Sequence, residues 1–246
     1  MQNKTIYGLI GKSLSHSFSK QFFTEKFEKE GIDANYKNFE LNKISEINDL
    51  LDKNENIKGL NITIPYKEEV IPFLDELDGV AREIGAVNTI AVKNGKKIGY
   101  NTDVFGFSQS IKPFLENSHE KAIILGTGGA SKAIEYVLKE LGIEIIFLSR
   151  KPEKENEFSY DEANEIMLKH RKLIINCTPI GTYPKVDEMP KLPAEYITKN
   201  HFVIDLIYNP QETTLLRMAR ENGAITLNGL SMLKHQALKS WEIWQE

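Results

Sequence analysis

The stretch "KAIILGTGGASKAIEYVLKELG", residues 121–142, decides the fold. It reads as a short apolar strand, a glycine turn and a helix. Gly126, Thr127, Gly128, Gly129 and Ala130 form the turn. Glycines there let the backbone bend tightly and approach a pyrophosphate, whose charge then faces the N–H groups and positive dipole of the helix. Ser131 holds the usual third-glycine slot, so the motif is a variant. A tight turn with no ligand would also need glycine, and the motif alone leaves that reading open.

One strand later the chain reads "IEIIFLSRK". A strand end of this kind usually carries Asp or Glu when the ligand is NAD, to accept from the ribose hydroxyls. Here it carries Ser149, Arg150 and Lys151. A guanidinium can take a 2′-phosphate in paired hydrogen bonds, whereas a carboxylate would repel it. A surface arginine is the alternative, but the position favours NADP.

Working outward, "KLIINCTP", "HFVIDLIYNP" and "AITLNG" read as further strands. The final segment, "SMLKHQALKSWEIWQE", is an amphipathic helix with Leu233, Ala237, Trp241 and Trp244 near one face. Upstream, the first hundred residues alternate strand and helix. "TIYGLIG" is a strand, "SKQFFTEKFEKEG" a helix, "NYKNFEL" a strand and "KISEINDLLDKN" a helix. "GLNITIP" then precedes a helix in "KEEVIPFLDEL", and Asn94-Gly95 joins two strands in a hairpin. The fold class is α/β with two domains. Residues 1–102, completed by 229–246, form one with a mostly parallel sheet, and 103–228 form a Rossmann-like domain. The boundary falls near Asn101–Asp103, and the C-terminal helix returns to the first domain.

The segment "GLNITIPYKEEV", residues 59–70, is unusual for a core strand. Strand periodicity sets Asn61, Thr63 and Pro65 on one face and Ile62, Ile64 and Tyr66 on the other. An edge strand with a wet face and a surface lysine would read the same way.

The whole chain narrows the function classes. Its 246 residues are 41% apolar and 9% aromatic, as in a water-soluble globular protein. A net charge of −4 and the lack of a dense basic stripe speak against nucleic acid. The single Cys177 rules out an internal disulfide and fits a reducing compartment. No signal-peptide core or membrane-spanning run is visible, so the expectation is a cytoplasmic protein that does not engage a membrane. His16, His119, His170, His201 and His235 are scattered without ligand spacing, so no metal is expected.

Taken in order, "GKSLSHSFS", "NITIPYK", "GAVNTI", "GYNTDVFGF", "GTGGA", "NCTPIG", "DLIYNP" and "NGLSMLKHQA" resemble the shikimate dehydrogenase family, which includes shikimate/quinate enzymes. The resemblance spans nearly the whole chain. It implies NADP-dependent interconversion of 3-dehydroshikimate and shikimate in aromatic amino-acid biosynthesis, across a cleft between a substrate domain and a Rossmann domain, by a monomer or homodimer. It implies that Ser17 and Ser19 bind the substrate carboxylate, with Asn61 and Thr63 facing the substrate. Asn88 and Asp103 would meet ring hydroxyls, and Tyr208 and Gln236 would close over the ring. Lys67 would be the proton donor, oriented by Asp103. The cofactor would lie along Gly126–Ala130, Ser149–Lys151, Thr178, Leu206 and Gly229.

Several of these residues have simpler uses. Ser17 and Ser19 could cap the helix starting near Lys20, Asn88 could satisfy a buried turn, Asp103 could cap the connecting helix, and Gln236 could be a surface residue. One departure from the family is visible. Acidic "PEKENEFSYDEANEI" replaces a full helix and strand, which leaves the adenine side more open. Two rivals remain: an NAD-using quinate/shikimate dehydrogenase, against which Ser19 and Arg150 argue, and a non-catalytic NADP-binding regulator, which would be expected to lack Lys67 or Asp103.

Overall fold

A computed structural model describes residues 4–14 and 17–246. It divides into two compact units, one holding the residues up to Phe105 together with Gln236–Glu246, the other Gly106–His235.

In the first unit β1 (Thr5–Gly11), α1 (Phe18–Glu30), β2 (Ala34–Glu40), α2 (Ile47–Asp52) and β3 (Ile57–Ile62) alternate. They are followed by α3 (Tyr66–Glu69), β4 (Glu76–Leu77), α4 (Gly79–Ile84), β5 (Thr89–Lys93) and β6 (Lys96–Tyr100). Among the described residues the sheet has six strands in the order β2-β1-β3-β5-β6-β4. β2, β1 and β3 pair in parallel, β5 runs antiparallel to β3 and β6, and β4 is parallel to β6. Local signals set the ends. Gly31, at φ 64°, ends α1 in the left-handed conformation that favours glycine. Asn94 and Gly95, at φ 51° and 78°, give the hairpin the positive φ at both central positions that a type I′ turn needs.

Two readings of this half change. "KEEVIPFLDEL" does not form one helix. α3 is a single turn, Ile71–Phe73 a 3-10 turn, and β4 an edge strand paired with β6. Pro72 offers no N–H to continue an α-helical ladder, and Leu74 is already extended. The alternation along residues 59–70 also stops at Ile62, so Ile64 does not share the greasy face and is 76% exposed. β3 is an interior strand rather than an edge. α4 was not expected; Asp78 caps it by accepting from the Ala81 N–H at 2.8 Å.

Apolar layers cover both sides of this sheet. Ile10, Ile47, Leu60, Ile62 and Ile90 belong to one cluster. Tyr7, Phe23, Phe27, Tyr36, Ile243 and Trp244 belong to the other, so the end of the C-terminal helix α9 (Leu230–Gln245) packs on this unit. Gly59 is required there, because a Cβ would lie 2.2 Å from the Trp244 indole nitrogen.

The second unit is entered through α5 (Asp103–Ile111) and contains β7 (Lys121–Leu125), α6 (Gly129–Glu140), β8 (Glu144–Ser149), β9 (Glu157–Ser159) and α7 (Glu165–His170). β10 (Leu173–Asn176), β11 (Phe202–Asp205), α8 (Thr214–Glu221) and β12 (Ile225–Asn228) complete it before α9. α8, capped by Thr213, was not anticipated. The strands run parallel in the order β12-β11-β10-β7-β8-β9. That is the doubly wound order, and strand direction of travel reverses between β7 and β10. The acidic segment after β8 does hold a short strand and a short helix, but residues 150–156 join the parallel pair β8 and β9 without the usual crossover helix.

His201 is 1% exposed, between the Thr198 N–H and the Leu168 carbonyl. Burial holds its pKa below the ordinary 6.5, helped by the Lys172 and His119 charges and opposed by hydrogen bonding to the Leu168 and Thr198 carbonyls. As pH falls below that value the unfolded chain takes up the proton first, so this contribution to stability shrinks. Asp205, whose carboxyl is pushed up to about 6, acts in the opposite sense, since the folded state protonates first. Comparison with a His201→Gln variant isolates the histidine. In urea unfolding, the stability difference between wild type and variant should shift against the wild type by about 1 kcal/mol between about pH 7 and about pH 5.5.

Candidate active site

In the first unit the site residues gather at the end of β3 and the start of α5. Lys67 lies in α3, just after Pro65 turns the chain. Its carbonyl accepts from the Val87 N–H at 2.7 Å. Asp103 opens α5, and its N–H donates to Asn101 Oδ1 at 3.1 Å while Asn101 Nδ2 donates to the Ala86 carbonyl at 2.9 Å. Both are thus tied to the segment just before β5. Their side chains meet, with Lys67 Nζ 2.6 Å from Asp103 Oδ2. The carboxylate is 3% exposed and the lysine side chain 16%, so the pair is sheltered, the lysine less completely than the carboxylate.

Asn88 and Gln236 also come together, the Asn88 amide donating to Gln236 Oε1 at 3.0 Å. Asn88 Oδ1 accepts from the Thr102 N–H at 2.7 Å and from the Thr102 and Thr89 hydroxyls. Asn88 therefore does satisfy a buried turn, and in doing so its amide group is fixed in direction. Gln236 is not a simple surface residue, since it bonds Asn88 from the helix that packs on this unit.

Asn61 is held by other side chains. It is 9% exposed, and its amide donates to Ser240 Oγ at 2.9 Å and Thr89 Oγ1 at 3.1 Å while Oδ1 accepts from the Tyr36 hydroxyl at 2.8 Å. Both amide hydrogens and the carbonyl are engaged inside the protein. The wet strand face is in fact a buried polar seam, continued by the Ser240, Thr89 and Thr102 hydroxyls. Ser19 reaches the same Tyr36 hydroxyl, so the seam runs from α1 toward Gln236. Ser17 caps α1 by accepting from the Lys20 N–H at 3.1 Å, which realises its simpler use. Thr63 is half-buried beyond β3, its N–H held by the Ile10 carbonyl at 2.9 Å. Ser15 and His16, within the first motif, lie outside the described residues.

Sequence reading missed Tyr36, Thr89, Thr102 and Ser240. Thr89 and Thr102 stood inside quoted motifs, and Ser240 lies one helical turn beyond Gln236, a spacing that puts both on one face.

In the second unit the turn after β7 and the loop after β10 flank the reversal of strand order, where dinucleotides bind in such sheets. Gly126 sits at φ 93°, and a Cβ there would lie 2.8 Å from the Thr178 methyl. Gly128 and Thr127 are exposed, and Gly129 and Ala130 begin α6, leaving the helix N-terminus accessible. Ser131 fits the third-glycine slot because its hydroxyl donates to the Gly128 carbonyl at 2.5 Å. Gly229 has no room for a side chain; a Cβ would be 2.0 Å from the Leu206 carbonyl oxygen. Ser149, at the end of β8, accepts from the Lys151 N–H at 3.2 Å, and Arg150 beside it is exposed. Tyr208 is half-buried. These features fit a dinucleotide with an extra phosphate: a close-approach turn, a free helix N-terminus and an exposed guanidinium one strand away. Among the described residues no cluster of His, Cys, Asp or Glu could hold a metal ion, and no helix is long and apolar enough to cross a membrane.

The chain is similar to known proteins along nearly its whole length. Residues 9–90 match the family profile of the shikimate dehydrogenase substrate binding domain. A shikimate dehydrogenase (NADP(+)) of Clostridium botulinum is 41% identical, covering 96% of this chain and 95% of that one. A solved shikimate dehydrogenase from Peptoclostridium difficile superposes with a TM-score of 0.85 at 42% identity, over 98% of this chain and 91% of that chain. Another, solved in complex with NADP+, gives 0.88 at 36% identity, over 98% and 90%. With identity at this level along nearly its whole length, the chain belongs to the shikimate dehydrogenase family.

Proposed function

We propose that this chain is an NADP-dependent shikimate dehydrogenase, a cytoplasmic oxidoreductase that reversibly reduces 3-dehydroshikimate to shikimate. The observation that carries the reading is the sheltered Lys67–Asp103 pair at 2.6 Å, set beside the Asn88–Gln236 pair on the same unit. Charges sheltered from water are costly, and a sheltered cation–carboxylate pair beside amide groups fixed in direction supplies what a proton transfer requires.

NADPH, when bound along the glycine turn, supplies the hydride. As the C3 carbonyl of 3-dehydroshikimate gains electrons its oxygen becomes basic, and Lys67 Nζ delivers the proton it needs. Asp103 holds that ammonium by its Oδ2 and fixes its direction. In the oxidative direction the neutral amine takes the proton back. Asn88 and Gln236 read ring hydroxyls with groups whose orientation the seam has already set. Ser17 and Ser19, at the first turn of α1, bind the carboxylate with their hydroxyls, and Thr63 lines the same unit beyond β3. Asn61 supports them from behind rather than touching substrate.

On the cofactor side Gly126–Ala130 receive the pyrophosphate, and Arg150, with Ser149 and Lys151, reads the 2′-phosphate. Thr178, Leu206 and Gly229 take the nicotinamide half. Replacing Arg150 with Ala should raise KM for NADPH about tenfold or more while leaving NADH nearly unchanged, since a guanidinium–phosphate pair is lost only with the phosphorylated cofactor. An equal loss with both cofactors would contradict the assignment. The reaction itself is tested by supplying 3-dehydroshikimate and NADPH to the purified protein and quantifying shikimate by chromatography. Shikimate should appear mole for mole with NADPH consumed; NADPH loss without shikimate would overturn the reading.

A further inference from the structure

Asp205, at the end of β11, is fully buried and has no part in the reaction as described. Three donors converge on it. Asn176 Nδ2 lies 3.0 Å and the Ile207 N–H 3.0 Å from Oδ1, and the Thr213 hydroxyl lies 2.7 Å from Oδ2. An ionised carboxylate accepts all three at full strength, whereas protonating either oxygen would weaken the set. Burial raises its carboxyl to about 6, with the three hydrogen bonds opposing, so it is charged at neutral pH despite its surroundings.

The contacts lead outward in two directions. Because the Asn176 amide nitrogen is committed to Asp205, its Oδ1 must face the other way, where it accepts from the Thr178 N–H at 2.9 Å and the Thr178 hydroxyl at 2.7 Å. Thr178, so held, places its methyl 2.8 Å from where a Cβ on Gly126 would stand. In the other direction the Ile207 N–H pins residues 205–207, whose Ile207 carbonyl accepts from the Gly229 N–H at 3.0 Å and whose Leu206 carbonyl crowds Gly229. Thr213 meanwhile caps α8 through the Leu216 N–H.

We propose that Asp205 is a positioning residue for the cofactor: through Asn176 it sets Thr178 against the Gly126 turn, and through Ile207 it sets the Leu206–Gly229 contact. The proposal rests on the assignment of Gly126, Thr178, Leu206 and Gly229 to NADP. It predicts a separable effect on cofactor affinity, because Lys67, Asp103, Asn88 and Gln236, the residues assigned to the reacting ring, all belong to the other unit.

The test uses the full chain, with dissociation constants for NADPH and for shikimate measured by calorimetry and steady-state constants alongside. Asp205→Asn should raise the NADPH Kd and KM about tenfold, with kcat at saturating NADPH and the shikimate Kd nearly unchanged. A residue that only supports the fold would lower the melting temperature and the active fraction, hence kcat, and leave the NADPH Kd alone; that outcome overturns the proposal. If Asp205→Asn does not fold, Thr213→Val, which removes one of the three donors and keeps the shape, should still raise the NADPH Kd about threefold, and an unchanged value overturns the proposal equally. Gly126→Val separates the underlying assignment. If it too binds NADPH normally, the cofactor turn is misassigned; if it loses NADPH while Asp205→Asn does not, the positioning role alone fails.

Discussion

Replacing Lys67 with Ala should lower kcat about a hundredfold or more in both directions, while shikimate affinity changes far less. In the proposed mechanism the side chain makes one contact to the substrate and delivers the proton from the pair held at 2.6 Å. Removing it also strands Asp103, 3% exposed, without its counter-charge, so some loss of stability accompanies the change. Lys67→Arg separates the two effects. Arginine keeps the ion pair with Asp103 but does not release a proton near neutral pH, so stability should recover while turnover stays low. If Lys67→Arg regained near-normal kcat, positive charge alone would suffice and the proton-donor role would be wrong. The readout is steady-state kcat beside the shikimate Kd and the melting temperature.

Trp244→Ala should destabilise the first unit by about 3–5 kcal/mol, the range for deleting a large buried aromatic. Its ring stacks on Tyr7 at 4.8 Å between centroids, leans on Phe23 at 5.3 Å, and donates from Nε1 to the Ile90 carbonyl at 3.0 Å. Gly59 leaves no alternative occupant for that space. The consequence reaches the site because Trp244 shares α9 with Ser240 and Gln236. Loosening the helix end should raise KM for shikimate in the surviving folded fraction and leave the NADPH Kd unaffected. Urea unfolding followed by circular dichroism measures the first effect. A loss below about 1 kcal/mol, the size expected of a surface substitution rather than a core one, would show that the aromatic cluster does not anchor the helix.

What the chain discloses before folding follows from how local each signal is. The turn at Gly126, the hairpin at Asn94-Gly95 and the helix stop at Gly31 each depend on backbone conformations that only a few residues tolerate, and each is where the reading put it. The single long helix expected over residues 67–77 failed because apolar spacing masked the effect of Pro72, and β4 pairs with a strand some twenty residues away that no window could include. Asn61 shows the same limit at the level of the site. Its place beside Thr63 in a polar-faced strand matched a substrate wall, and its bonds to Tyr36 and Ser240, brought in from β2 and α9, were beyond the reach of any local pattern. Asp205 and Asn176 were quoted within motifs, yet their pairing depends on the register of β10 against β11. Lys67 and Asp103 were legible as a pair only through resemblance, since 36 residues separate them along the chain.

The most direct test of the account is to measure kcat/KM for the wild-type protein with shikimate and quinate, each paired with NADP+ and NAD+. Ser19 and Arg150 as placed here predict that shikimate with NADP+ exceeds each alternative pairing by about a hundredfold or more. Comparable turnover of quinate, a preference for NAD+, or no shikimate-dependent reduction of either cofactor would contradict it.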